Sequence, residues 1–118
     1  MALEIGISLI PVVIANGASL SAEVDTGAQT LVGIVMPAAW TAAALTFQVG
    51  VGGGAPWLEH YSAAGVETTF TVAAGQYIAV DPTLWRGVNA IKLRSGTAAA
   101  PVNQGQAATL LLVVKSLV

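Results

Sequence analysis

The chain has 118 residues, 55% of them apolar and only 8% charged, with no cysteine and a formal net charge of −2. One domain fits that length. Four basic residues, Arg86, Lys92, Arg94 and Lys115, are too few to neutralise a track of phosphates or to form a polybasic membrane patch, which excludes nucleic acid and anionic membranes as partners.

The absence of cysteine removes any disulfide framework or thiolate chemistry, and fits folding in a reducing cytoplasm. Charge this far below the roughly 25% usual in soluble domains goes with disorder only when hydrophobicity is also low. Here it is high, so the chain is expected to fold and to have part of its outer surface covered by other protein. No apolar run approaches the ~20 residues of a membrane helix. Three Trp, two Tyr and two Phe do not make the aromatic girdles of a membrane barrel. Met1-Ala2-Leu3-Glu4 carries an acid where a signal peptide has its positive region.

In chain order, residues 3–14 read as a strand rich in β-branched side chains, with Pro11 marking a bulge or an edge position. This segment is either an N-terminal arm that reaches a neighbour or an ordinary edge strand. Asn16-Gly17 is a turn; a strand over 19–24 follows, then a turn at Asp25-Thr26-Gly27. Residues 31–36 are apolar at both parities, as in a central strand covered on both faces. Over 43–51, Leu45, Phe47, Val49 and Val51 share one face, with Thr46, Gln48 and Gly50 on the other. Gly52-Gly53-Gly54 turns the chain into a short return strand at 57–61, a hairpin signature.

Residues 66–72 alternate again, with Val66, Thr68, Phe70 and Val72 on one face, and Ala73-Ala74-Gly75 is a turn. A strand at 77–80 is broken by Asp81-Pro82, where Asp81 is placed to cap a single turn through Trp85. Residues 40–44 are the other candidate helical turn. Over 89–94, Ile91 and Leu93 point inward while Lys92 and Arg94 point outward. Residues 95–106 form a loop rich in Gly, Ala and Pro, and 109–114 form a nearly continuous apolar, buried strand. The predicted fold is a single all-β domain over 1–118: a compact antiparallel β-sandwich, jelly-roll-like, of roughly eight or nine short strands.

Residues able to do chemistry are scarce. His60 is the only histidine. Its neighbour Glu59 points to the opposite side of a strand, so the two do not share a ligand site. Ser62, Ser95 and Ser116 lie in no nucleophile motif. The glycines of 50–54 are followed by neither a lysine nor a helix pattern, so they are not a phosphate loop. No catalytic, metal or cofactor site is predicted, and the protein is expected not to be an enzyme.

Two stretches carry a resemblance. One is Leu31-Val32-Gly33-Ile34-Val35-Met36-Pro37-Ala38-Ala39-Trp40-Thr41-Ala42-Ala43-Ala44-Leu45-Thr46-Phe47-Gln48. The other is Lys92-Leu93-Arg94-Ser95-Gly96-Thr97 with Pro101-Val102-Asn103-Gln104. Both resemble small virion structural proteins of tailed bacteriophages and prophages, and the likeness continues through Trp57, Tyr61, Ala64-Gly65 and residues 77–82. One departure is that the family tends to carry Asp-Gly-Gly where this chain has Gly52-Gly53-Gly54. The turn is retained but any role of that acid as a polar contact or cation ligand is lost.

The resemblance implies a head decoration (cement) protein on the capsid exterior, assembled in the host cytoplasm. Its partners would be itself, as a homo-oligomer with a trimer favoured, and the major capsid protein. A head-fibre or tail-associated module that recognises host surface glycan is the alternative. A tail-tube, head-completion or baseplate part is a third reading. Among the three tryptophans, Trp40 follows Pro37-Ala38-Ala39 in a loop, and Pro37, Ala39, Trp40 and Trp85 are the candidate subunit or capsid interface. Trp57, in a short hairpin strand, is expected to pack on the core.

Overall fold

The computed structural model describes residues 7–51 and 56–116. Its eight strands are β1 (Ile7–Ile14), β2 (Val24–Asp25), β3 (Thr30–Val35), β4 (Leu45–Gly50), β5 (Leu58–Glu59), β6 (Tyr77–Ala79), β7 (Ala90–Ser95) and β8 (Ala108–Lys115). They form two four-stranded antiparallel sheets, β1-β8-β3-β6 (sheet A) and β2-β7-β4-β5 (sheet B). Apart from the β4–β5 hairpin, the chain changes sheet at every connection. This winding is that of a jelly roll, and the predicted all-β sandwich is the observed fold.

The core is the layer between the sheets, since each strand is apolar at one parity at least. Sheet A contributes Val12, Ile14, Leu31, Ile34, Leu110, Leu112 and Val114; sheet B contributes Leu45, Phe47, Val49, Ile91 and Leu93. Leu31 and Ile34 are three residues apart, which on a regular strand would put them on opposite faces. A register shift between Leu31 and Gly33 brings both inward. Pro11 sits in the edge strand β1, where a missing N–H costs no ladder bond, and the β1–β8 register runs unbroken past it.

Several expected elements take other forms. Residues 66–72 make no strand. The segment is tied at separate points, Thr68 N–H to His60 O just past β5 (2.9 Å) and Phe70 N–H to Leu45 O in β4 (2.9 Å), so no ladder propagates. The 19–24 strand shrinks to β2. Leu20 faces Arg94 while Val24 faces Ile91, four steps against three, so the chain bulges between them. There the Ser21 hydroxyl accepts from Leu93 N–H at 2.9 Å in place of a carbonyl. Residues 40–44 are not helical, whereas Pro82–Trp85 forms one 3-10 turn. The Asp81 carboxylate accepts from Thr83 N–H at 3.0 Å at its start, as the sequence implied. Val51 lies past the end of β4 and is exposed. The Gly52-Gly53-Gly54 turn and residues 1–6 lie outside the described residues.

Gly96 shows where backbone chemistry, not side-chain pattern, holds the fold. It closes β7 with φ near +90°, and a Cβ there would lie 2.5 Å from the Ala100 carbonyl oxygen. Both the left-handed backbone and the contact penalise any side chain. We expect Gly96→Ala to cost about 2–3 kcal/mol in urea melts. A loss under about 0.5 kcal/mol, the size of a neutral surface change, would show that the 96–101 turn relaxes freely.

Candidate functional site

The two outer faces of the sandwich differ in character, because the outward parity of each sheet draws on different residues. On sheet B that parity supplies Thr46, Gln48, Lys92 and Arg94. Arg94 points outward, as the alternation implied, but it is buried and not solvated. The 59–67 and 96–101 segments fold over it. Its guanidinium pairs with Glu59 and, at 2.9 Å, with Glu67. Its Nε–H donates to Thr46 Oγ1 at 2.9 Å. Glu67 also accepts from Ala98 N–H at 3.1 Å. One cation therefore ties β7 to β5 and to two loops. The Arg94 hydrogen bond holds the Glu59 carboxyl below its ordinary value against the opposing effect of burial, with Gln48 helping.

Trp57 belongs to this polar face. The expectation that it packs on the core is corrected: it is half-buried, outside the core cluster, with the Lys92 ammonium 4.4 Å from its ring centroid. Trp85 is corrected in the opposite sense. It was expected at an interface, but the 3-10 turn swings its ring inward to 1% exposure. There it stacks on His60 (4.3 Å between centroids) and meets the edge of Phe47 (4.8 Å). A side chain sealed inside its own subunit touches no partner.

Trp40 stays at the margin, half-buried, its indole N–H donating to Ala43 O at 3.1 Å. Pro37 is half-buried and Ala39 exposed. Gln104, almost fully buried, pins this loop. Its amide oxygen accepts from Thr41 N–H (2.8 Å), and its amide nitrogen donates to Thr41 O (3.0 Å) and Ser95 Oγ (2.7 Å). The structure thus leaves Pro37, Ala39 and Trp40 together in one rigid loop and removes Trp85 from their company.

His60 lies between Thr68 Oγ1 and Leu84 O, each 2.7 Å from a ring nitrogen, while Glu59 faces Arg94 on the other side of the strand. Both ring nitrogens are engaged in holding the 3-10 turn and the 66–72 segment. Among the described residues, no group of three or more His, Asp or Glu is placed to hold a metal ion, and no helix is long and apolar enough to cross a membrane. An open groove of about 290 Å3 lies between the turns at 27–30 and 87–89.

The outer face of sheet A is what the sequence reading missed. Its registers align two rows across all four strands: Leu9, Val113, Gly33, Ala79 and Pro11, Leu111, Val35, Tyr77. Ile7 and Val13 extend it along β1. Lys115, beside Ile7, is its one charged residue among those described. Leu9 is 59% and Tyr77 58% exposed, and Leu111, Val113 and Val35 are half-buried. The continuous apolar run at 109–114 is therefore not covered on both sides by its own chain. Leu110, Leu112 and Val114 enter the core, while Leu111 and Val113 lie half-buried on the outer side. The signal was present in the low charge and in the apolar residues at both parities of β1 and β8.

Comparison with protein-family models, with curated proteins and with solved structures finds no match to this chain.

Proposed function

We propose that the protein is a structural component of a phage virion, a decoration protein that binds itself and the major capsid protein on the outside of the head. The observation that carries this reading is the apolar outer face of sheet A, backed by a rigid sandwich and opposed by a polar sheet B. Such a domain suits a brick that attaches through one face and shows water the other. Contacts too weak to hold singly gain strength when copies are repeated on a lattice. The phage resemblance in residues 31–48 and 92–104 selects a capsid among the many surfaces such a brick would fit.

The test is to mix the purified protein with expanded, undecorated capsids of its phage. Saturable binding at hundreds of copies per head is expected. Failure to bind at any concentration overturns the reading, and a few copies per particle move the protein to the tail or baseplate.

One observation favours the second reading, a glycan-binding module of a fibre or tail. Trp57 lies on the polar face of sheet B beside Gln48, Glu59 and Lys92, and an aromatic ring flanked by polar groups is what a sugar face stacks on. Under that reading Trp57→Ala abolishes glycan-array binding without affecting assembly. An array blank for the wild-type protein removes it.

A further inference from the structure

We infer that Pro11 closes the free edge of sheet A to strand addition, and that this one residue keeps copies of the chain from joining edge to edge through β1. The role is separate from whatever the outer face of sheet A binds, since strands add in the plane of a sheet and faces pack across it.

The direction of each backbone group on β1 follows from two bonds on the far side of the sheet. Val80 N–H donates to Val32 O at 3.1 Å and Met36 N–H to Gln76 O at 2.8 Å. The even-numbered residues of this part of β3 therefore turn their backbone groups toward β6. Successive residues of a strand turn theirs to opposite sides, so Gly33 and Val35 bond β8 through their partners Val113 and Leu111. That leaves Leu110, Leu112 and Val114 to bond β1 through Val12, Ile10 and Ser8. Ile7, Leu9, Pro11 and Val13 then turn their backbones to the open side, where sheet A ends.

Without proline that edge would be a template for another strand. Ile7–Ile14 carries no charge and no glycine, and its register with β8 has no bulge. No strand of the described residues lies beyond it. Charge, bulges, covering segments and proline are the means by which edges are kept from pairing, and β1 relies on the last. In the middle of the edge Pro11 offers a carbonyl but no N–H, and its ring fills the space where an incoming carbonyl would lie. Parallel and antiparallel addition both bond the outward-turned residues, so both need that N–H. With the proline replaced, the 8 residues of β1 would be an uncharged run rich in Ile, Val and Leu, the composition of a self-pairing segment.

Pro11→Val is the test, in the purified full chain, where another copy is the only source of a strand. Light scattering and thioflavin fluorescence are followed over days at roughly 100 μM, a concentration at which open edges associate. Wild type is expected to hold a constant mass without thioflavin signal. Pro11→Val is expected to grow into larger, thioflavin-positive species with a melt no lower than that of wild type, because valine suits a strand. Adding Val13→Pro to Pro11→Val moves the proline along the open side and is expected to slow growth at least tenfold. Val12→Pro removes an N–H that bonds β8 and is expected to lower Tm by more than about 10 °C.

Pro11→Val that keeps the constant mass of wild type overturns the inference, as does thioflavin-positive growth of wild type itself. Growth of Pro11→Val that accompanies a lowered melt assigns the association to unfolding and overturns it too, as does growth that the second proline leaves unslowed. A Val12→Pro melt equal to that of wild type would reverse the direction of the β1 backbone and remove the geometry on which the role of Pro11 stands.

Discussion

Arg94→Ala is expected to lower stability by about 3 kcal/mol, a fall in melting temperature of roughly 10 °C for a domain of this size. The loss comes less from the missing attraction than from what is left behind. Glu59 and Glu67 would remain half-covered with no cation, and the Ala98 turn would hang on a carboxylate that now prefers water. The pH dependence checks the cause. The folded Glu59 carboxyl titrates below its ordinary value of 4.5, so the stability supplied by its ionised form is complete above that value. It is lost as pH falls through the lower, folded value. Wild type therefore weakens below about pH 4.5. Arg94→Ala, with no pair left to protonate, weakens less, and the gap between the two proteins narrows there. Urea melts at pH 7 and near pH 3 measure both quantities. Combining Arg94→Met with Glu59→Gln and Glu67→Gln should recover most of the loss, because removing all the charges leaves none buried unpaired. A pH-independent gap would mean that Arg94 matters for packing alone.

Trp85→Ala is expected to cost more, about 4 kcal/mol, near the top of what one residue gives. It empties the contact between the 3-10 turn and sheet B, unstacks His60 and leaves Phe47 without its edge partner. The indole N–H has no hydrogen-bond partner among the described residues, so Trp85→Phe keeps part of the packing and sheds an unpaired donor. Its cost should be about 1–2 kcal/mol. Chemical denaturation of both variants decides the matter. Equal losses would mean that ring area is not what anchors the turn, and a negligible loss for Trp85→Ala would return the residue to the surface role the sequence suggested.

How far the sequence reaches is seen by comparing neighbouring elements. β4 was legible from Leu45 to Val49: Leu45, Phe47 and Val49 alternate with Thr46 and Gln48 and mark the core-facing side, although loops bury Thr46 as well and Val51, expected on the core face, lies past the end of the strand and is exposed. The Asp81 cap was legible because a cap is a contact between residues two apart. The 66–72 segment alternates equally well and is not a strand, because pairing depends on a neighbouring strand that no local pattern encodes. The tryptophans were the hardest to place. A large ring suits a core, an interface or a polar platform equally, and the sequence around Trp57 and Trp85 does not say which way the chain turns.

Alternation and turn spacing determined that this chain is an all-β domain, and the count of charges that its polar surface is scant. Those conclusions depend on periodicity and on a count of charges, both of which are local or additive. Which surface lies uncovered was decided by the tertiary structure. It depends on β1, β8, β3 and β6, far apart in the chain, lying side by side in a register that lines up Leu9, Val113, Gly33 and Ala79. The same holds for Arg94, read correctly as pointing away from the core. Only the fold brought Glu59 and Glu67 over it, since burial on the outside of a sheet depends on loops whose path is set by long-range contacts.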